Sequence, residues 1–120
     1  MKNLKLTISY DGSRYYGWER QPGRDTIQGK LEAVLSRMVN AEVNVIGAGR
    51  TDAGVHALGQ VASVRLSGGW APGELMDQLN RYLPQDIAVV DALEADGSAI
   101  TAGSGVLLVR LANFARELGL

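Results

Sequence analysis

A glycine-rich loop between two apolar stretches is the feature that most constrains the fold of this sequence. It lies within residues 45–61, VIGAGRTDAGVHALGQV, and carries four glycines, one arginine, one aspartate and the single histidine of the chain. Glycine loses more backbone entropy on folding than other residues, and a plain connection between strands does not need it so often. The pattern therefore predicts a close backbone approach or a positive φ. A long hairpin whose glycines only turn the chain is the alternative.

Apolar periodicity predicts four strands and two helices around this loop. The strands are expected at residues 4–10, 43–46, 60–66 and 87–90. The first helix is expected from residue 26 to about 39, capped by Asp25 with Gln28 in the capping-box position, and the second begins at Pro72, with Leu75, Leu79 and Tyr82 as its apolar stripe. The order β-α-β-β-α-β predicts an α+β, ferredoxin-like fold, in which an antiparallel sheet carries both helices on one face.

The character of the sequence changes after residue 93. Residues 94–105 are polar and small, and residues 106–118 then carry Leu107, Leu111, Phe114 and Leu118 at helical spacing. This spacing predicts a third, C-terminal helix, although residues 106–109 are equally typical of the start of a strand. We therefore expect a domain over residues 1–93, followed by a linker and helix over 94–120.

Composition excludes several classes of site. The chain of 120 residues has no cysteine, so disulfides and thiolate metal sites are excluded, and His56 alone cannot build a histidine-rich one. Binding of Mg²⁺ by carboxylates alone stays open, but no motif in the sequence indicates it. The first residues alternate polar and apolar side chains, unlike a signal peptide, and no later stretch approaches a membrane span. The sequence thus predicts a cytoplasmic protein.

Charge is unevenly distributed along the chain. Residues 1–65 hold nine Lys/Arg against six Asp/Glu, whereas residues 66–120 hold three against seven. The long loop at residues 11–24 also interleaves three aromatic side chains with Arg14, Arg20 and Arg24, a pattern that suits stacked bases and phosphates. These arginines are candidate phosphate contacts. An ordinary fluctuation in surface charge is the alternative, with Trp18 and one tyrosine filling the edge of the core.

Three stretches together resemble the tRNA pseudouridine synthase A family. They are Tyr10-Asp11-Gly12 with Gly17-Trp18, residues 47–57 (GAGRTDAGVHA), and Leu79-Asn80 with residues 83–87 (LPQDI). The resemblance runs from residue 2 to about 92. It implies a cofactor-free enzyme that isomerises uridines in the anticodon stem-loop of tRNA and works as a homodimer. By the same resemblance, Asp52 is the catalytic nucleophile and Arg50 helps to displace the target base.

The chemistry of the reaction agrees with a carboxylate at position 52. Asp52 could attack or stabilise an electron-poor ribose C1′, or abstract a proton from the sugar, and later assist deprotonation of the new C-glycoside. Removing a base from its stack costs a few kcal/mol, and the planar cation of Arg50 could fill the gap or hold Asp52 ionised. Thr51 and His56 complete the set of candidate RNA contacts. Thr51 is expected mainly as a hydrogen-bonding loop residue, and a structural role is favoured for His56 over a phosphate contact.

The resemblance stops where the tail begins. Family members continue into a Phe-His-Ala-Arg-like stretch, a Lys-x-Tyr strand and a second domain that closes the cleft, and residues 94–120 match none of these. The sequence is therefore interpreted as a catalytic half, truncated or engineered, with weak or no turnover. The main alternative is a noncatalytic RNA-binding or scaffold domain. A nucleotide-binding loop at residues 47–49 is disfavoured because neither phosphate-loop pattern is present there.

Overall fold

This computed structural model describes residues 2–95 and the backbone of a short strand at residues 108–109. Residues 2–95 form an antiparallel sheet and two helices. The strands are β1 (Lys2–Tyr10), β2 (Val45–Gly47), β3 (His56–Leu66), β4 (Ile87–Ala95) and β5 (Leu108–Val109). The helices are α1 (Ile27–Val39) and α2 (Pro72–Tyr82), and a 3-10 turn covers Gly12–Arg14. The predicted α+β class, with a four-stranded antiparallel sheet and two helices, is confirmed.

The long strand β3 lies inside the sheet. The strand order is β2-β3-β1-β4, and every pairing is antiparallel. Strand β2 covers the C-terminal half of β3, with Val45 opposite Val64, whereas β5 pairs with its first residues, His56 and Ala57. The loop that joins β2 to β3 therefore leaves the sheet on the side of β3 that β2 and β5 share.

The core is built from one face of β1 and the apolar stripes of the two helices. Leu4, Leu6, Ile8 and Tyr10 are fully buried at alternate positions of β1, as the period of a strand requires. They belong to one cluster with Ile27, Leu31, Leu35, Leu75 and Leu79 of the helices. Each such side chain contributes about 1.5–3 kcal/mol when it is withdrawn from water. Both helices are thus held against the sheet by hydrophobic burial.

The start of α1 differs from its prediction by one residue. Thr26 is the N-cap, with an extended backbone, and its hydroxyl accepts the N–H of Gly29 at 3.2 Å. Asp25 instead reaches Lys30 at 3.5 Å, and Gln28 spans to the neighbouring chain segments rather than closing a capping box. The predicted cap at Asp25 is wrong because burial of Ile27 sets the first helical residue.

The C-terminal half of the fold brings two more corrections. In α2, Leu75 and Leu79 are buried as predicted, but Tyr82 is 64% exposed because it lies at the last turn, past the edge of the core. The amide of Asn80 then joins α2 to β4, donating to the carbonyl of Val89 and accepting its N–H, both at 2.8 Å. Strand β4 extends to Ala95, beyond the predicted end at residue 90.

Strand β3 begins at His56, four residues before its predicted start. A bulge interrupts its pairing with β1, since Ile8 lies opposite Gln60 and Tyr10 opposite Ala57. The extra residue breaks the alternation of side chains by which a strand is recognised in sequence. At Leu108–Val109 the chain is a strand, which is the alternative left open for residues 106–109, and not the predicted helix. Its backbone pairs with the edge of β3 left open by β2. The rest of that predicted helix lies outside the described residues.

Candidate active site

Side chains of the loop between β2 and β3 alternate between solvent and core at the predicted catalytic positions. Arg50 and Asp52 are exposed, whereas Thr51 between them is only 7% exposed. The Thr51 hydroxyl shares a buried hydrogen bond of 2.7 Å with the hydroxyl of Tyr10 in β1. Burial raises the pKa of Tyr10 to about 12, against a smaller opposing effect of the bond to Thr51, so the tyrosine stays neutral. This bond anchors the centre of the loop to the sheet.

A tight turn follows Asp52. The N–H of Val55 donates to the Asp52 carbonyl at 3.1 Å, and Gly54 has a φ of 78°. A positive φ at the third position is the mark of a type II turn and favours glycine there. The N–H of Gly54 then donates to the carbonyl of Tyr15 at 3.1 Å, and that of Trp18 to the carbonyl of Thr51 at 3.0 Å. The loop at residues 11–24 thus holds the Asp52 loop from one side.

The Asp52 loop is also packed tightly at its beginning. A Cβ built at Gly47 would lie 2.6 Å from Nε1 of Trp18, closer than side chains approach in folded proteins. The buried amide of Gln60 donates to the carbonyl of Gly49 at 2.6 Å. The glycine-rich stretch therefore contains both features expected of it, a close backbone approach at Gly47 and a positive φ at Gly54.

The two exposed side chains open into a polar cavity of about 540 Å³. Its wall is shared by the Asp52 loop and the loop at residues 11–24. The lining residues are Tyr16, Glu19, Gln21, Arg24, Arg50, Thr51, Asp52 and Ala53. Two carboxylates, of Glu19 and Asp52, and two guanidinium groups, of Arg24 and Arg50, thus face one open space large enough for a nucleotide base, and all four side chains are exposed.

Arg50 makes its ion pair with Glu19, at 2.9 Å between Nη1 and Oε2. Both side chains are more than half exposed, so the pair contributes little to stability and can separate at small cost. The sequence led us to expect that Arg50 holds Asp52 ionised. The carboxylate with which Arg50 pairs is instead that of Glu19. Glu19 was not identified from the sequence, because nothing in the pattern of the loop indicates that it reaches across to residue 50.

The structure separates the three arginines of the loop at residues 11–24. Arg14 pairs with Asp86 at 2.7 Å, and Arg20 with the buried carboxylate of Glu32 at 2.7 Å. Arg24 lines the cavity, and its guanidinium lies 4.4 Å from the ring centroid of Tyr16. Only Arg24 of the three is brought to the Asp52 cavity.

The aromatic side chains of the same loop divide in a similar way. Trp18 and Tyr15 are buried at the edge of the core, as the alternative interpretation expected of Trp18 and one tyrosine. The Tyr15 hydroxyl donates to Asp86 at 2.7 Å; burial first, and then the neighbouring carboxylate, raises the pKa of Tyr15. Tyr16 remains exposed in the cavity wall. The aromatic and arginine pattern of the loop included Tyr16, but the sequence did not show which of the two tyrosines would be buried.

His56 lies at the base of the loop rather than in the cavity wall. Its Nδ1 accepts the N–H of Gly12 at 2.9 Å and lies 3.1 Å from a carboxylate oxygen of Asp11. The first contact requires an Nδ1 without a hydrogen and the second an Nδ1 that carries one, so the two are not hydrogen bonds at the same time. Burial would raise the pKa of Asp11, but hydrogen bonds from Ser13, with His56 and Arg14 nearby, lower it overall.

In residues 2–95 no group of three or more His, Asp or Glu side chains is arranged to hold a metal ion. Neither helix of that part has the length and apolar character that crossing a bilayer requires.

A comparison with protein families decides the relationship of the chain. The family model described as tRNA pseudouridine synthase matches residues 6–98, which include both loops and all the cavity residues. The chain belongs to the tRNA pseudouridine synthase family.

Curated relatives carry the corresponding name, tRNA pseudouridine synthase A. The protein from Bacillus sp. (strain KSM-64) is 59% identical over 92 residues, which are 76% of this chain and 38% of the relative. The protein from Caldicellulosiruptor bescii is 47% identical over 95 residues (79% and 39%), and that from Dictyoglomus turgidum is 54% identical over 91 residues (74% and 37%). The chain therefore spans less than two fifths of the length of these pseudouridine synthases.

Proposed function

We propose that this chain acts on tRNA as a pseudouridine synthase, isomerising uridine in the anticodon stem-loop. The observation that carries the proposal is the pair of exposed side chains, Arg50 and Asp52, on either side of the buried Thr51 and facing one cavity. The family membership of the chain and the names of its relatives support the reaction class.

Asp52 is the proposed nucleophile. Its carboxylate attacks ribose C1′, an ester bond to the sugar forms, and uracil leaves with the electron pair of the N1–C1′ bond. After uracil has rotated, C5 attacks C1′ and the carboxylate departs with the electron pair of the ester bond. A proton then leaves C5 and N1 gains one, so the isomerisation balances without oxidant, reductant or cofactor. Abstraction of a sugar proton by Asp52 is the alternative first step, with the same bonds exchanged overall.

Arg50 is proposed to fill the space that the target base leaves in the helical stack. A guanidinium group is planar and cationic, so it can stack between bases and contact phosphate oxygens. The exposed pair with Glu19 supports this role, because it holds the guanidinium at the cavity with little energy to be overcome.

The remaining RNA contacts are proposed in two groups. Arg24 is a phosphate contact within the cavity. Arg14 and Arg20 do not line the cavity and are contacts at its outer margin. Their carboxylate partners already neutralise them in part. Thr51 and His56 support the loop from beneath, through the hydroxyl of Tyr10 and the N–H of Gly12.

The wider arrangement is also part of the proposal. The order β2-β3-β1-β4 supports a ferredoxin-like fold, and residues 1–93 are proposed as a pseudouridine synthase N-terminal-like domain. A homodimer is proposed from the family resemblance. A cytoplasmic location is proposed from the same resemblance and fits a tRNA substrate. Native mass measurement would test the dimer.

The test of the function is a direct assay of pseudouridine. The chain is incubated with an anticodon stem-loop hairpin RNA, and the product nucleosides are measured by mass-sensitive chromatography after selective labelling of pseudouridine. Asp52→Asn keeps the shape but removes the charge, so product formation should fall by orders of magnitude while RNA affinity changes little. Asp77→Asn, at an exposed position of α2, is the matched control and should behave as the unmodified chain.

Two outcomes would count against this proposal. Equal product from Asp52→Asn and the unmodified chain would remove Asp52 from the mechanism. RNA binding without any pseudouridine would favour the second candidate function, a noncatalytic RNA-binding or scaffold domain, which the exposed Arg50 and Arg24 also support.

A further inference from the structure

The ring of Tyr16 is exposed beside the candidate active site, in a loop whose other aromatic side chains are buried. Tyr15 and Trp18 are 4% and 3% exposed, whereas Tyr16 is 48% exposed and lines the same cavity as Asp52. Exposing an aromatic ring to water forgoes the free energy that burial would provide. A ring left in the wall of a cavity, next to two carboxylates and two guanidinium groups, is suited to contact a ligand there.

Hydrogen bonds fix the backbone of Tyr16 and of the segment that follows it. The N–H of Tyr16 donates to the carbonyl of Asp25 at 2.8 Å, and the side-chain amide of Gln21 donates to the carbonyl of Tyr16 at 2.8 Å. The backbones of Gln21 and Arg24 form an isolated antiparallel β-bridge, in which the N–H of Arg24 donates to the Gln21 carbonyl at 3.3 Å. The segment from Tyr16 to Asp25 is thus closed on itself, and this preorganisation lowers the entropy lost on binding.

Arg24 completes a stack on Tyr16. Its guanidinium carbon lies 4.4 Å from the ring centroid, within the range of a cation–π contact. Unlike Arg14 and Arg20, Arg24 has no carboxylate within ion-pair distance among the described residues. Its charge is therefore available to a phosphate, and the ring beneath it can continue the stack with a nucleobase.

We infer that Tyr16 and Arg24 form a subsite for one unpaired nucleotide of the RNA, next to the uridine that reacts at Asp52. This inference rests on the proposed function. Tyr16 stacks on the base and Arg24 contacts the adjoining phosphate. When the reacting uridine leaves its stack, the neighbouring base loses a partner, and the phenol ring replaces it. The subsite thus recognises a flat base and a phosphate rather than a particular sequence.

The test for stacking is equilibrium binding of a fluorescently labelled anticodon stem-loop hairpin to the chain. Tyr16→Phe keeps the ring and should bind within about twofold of the unmodified chain. Tyr16→Leu keeps an apolar side chain but loses the π-face and should weaken binding by about tenfold. Tyr82→Leu is the matched control, because Tyr82 is also exposed but lines a different cavity between the helices, and binding should not change. Melting temperatures of all three variants verify folding.

The phosphate contact is tested by the salt dependence of the same binding. Arg24→Ala should reduce the slope of log Kd against log salt by about one counterion, whereas Arg24→Lys should keep that slope. Arg37→Ala, on the outer part of α1, removes an equal charge away from the cavity and should leave the slope unchanged.

The results separate this subsite from the reaction. Unchanged binding by Tyr16→Leu, equal losses in Tyr16→Phe and Tyr16→Leu, or no binding by the unmodified chain would each overturn the subsite. Failure to form pseudouridine, with ring-dependent binding retained, would overturn the proposed reaction and leave the subsite intact. Pseudouridine formation that is indifferent to Tyr16, in binding and in rate, would do the reverse.

Discussion

At the scale of single residues, a buried pair of hydroxyls supports the exposed chemistry of the loop. Tyr10 and Thr51 are 41 positions apart in sequence, and their hydrogen bond is inside the protein. Tyr10 continues the apolar alternation of β1 in the sequence, and in the structure its side chain is fully buried. The partner could not be predicted, because contacts between distant positions depend on the register of the sheet.

We expect Thr51→Val and Tyr10→Phe each to lower the free energy of unfolding by about 1–3 kcal/mol, because each leaves a buried hydroxyl without its partner. The double variant leaves no buried hydroxyl unpaired, so its loss of unfolding free energy should be smaller than the sum of the two single losses. Urea denaturation of the four proteins gives the coupling energy. Tyr15→Phe with Thr51→Val is the control, since the Tyr15 hydroxyl bonds to Asp86. If the losses of unfolding free energy from Tyr10→Phe and Thr51→Val are strictly additive in the double variant, the hydrogen bond between the two hydroxyls is contradicted.

Asp11 should make stability depend on pH in the acid range. Its pKa in the folded chain is lowered from the ordinary value of 3.8. The associated stability is therefore complete above that value and is lost as the pH falls through the lower, folded pKa. Asp11→Asn keeps an oxygen for the N–H of Ser13 but removes the charge. The variant should be less stable by up to about 1 kcal/mol near neutral pH.

The check for Asp11 is a comparison of urea midpoints at neutral and acid pH. The difference between Asp11→Asn and the unmodified chain should shrink as the pH is lowered below 3.8. Asp77→Asn, at an exposed helix position, is the control. A difference that persists unchanged in acid would show that the effect of Asp11→Asn is not electrostatic.

At the scale of elements, most strands and helices could be predicted from the sequence because the periods of their apolar residues match their buried faces. Strand β1 and both helices follow that rule. The start of β3 was missed because a bulge breaks its period. The sequence left strand and helix open at residues 106–109, because the pairing of Leu108–Val109 depends on an open backbone edge that a side-chain pattern does not show. The loop carrying Asp52 was recognised from its motif, whereas its supports at Tyr10, Trp18 and Gln60 required coordinates.

Packing between the two loops should make Gly47 intolerant of a side chain. Gly47→Ala would bring a methyl group to 2.6 Å from Trp18 Nε1 and 2.9 Å from the Gly49 carbonyl, so we expect a loss of about 1–3 kcal/mol. Gly73→Ala is the matched control. A Cβ there meets nothing within 4 Å, and α2 should gain up to about 1 kcal/mol from the better helix former. Equal effects of the two substitutions in thermal melts would refute the tight contact.

At the scale of the whole molecule, β3 is paired on one side by two separate strands. Strand β2 covers residues 62–64 and β5 covers His56 and Ala57, next to the Asp52 loop. Loss of β5 would leave backbone groups of β3 open at that point, a hazard for both stability and association.

Two shortened chains test the contribution of β5. A chain ending at residue 104 lacks β5, and we expect it to melt at a lower temperature and to aggregate more than the full chain. A chain ending at residue 109 keeps β5 and serves as the control, which should stay closer to the full chain. If both shortened chains melt and sediment alike, the pairing of β5 with His56 and Ala57 contributes nothing measurable.

The in-and-out order of Arg50, Thr51 and Asp52 has an evolutionary consequence. Side chains at the two outward positions bear almost none of the fold's stability, so mutation there meets little selection for folding alone. If Asp52 and Arg50 act as proposed, a lineage could lose the reaction in one nucleotide change and still produce a well-folded protein that only binds RNA. The inward threonine is under the opposite pressure. Drift that abolishes catalysis should therefore erase the two charges first and leave Thr51, with Tyr10, as the last trace of an active ancestor.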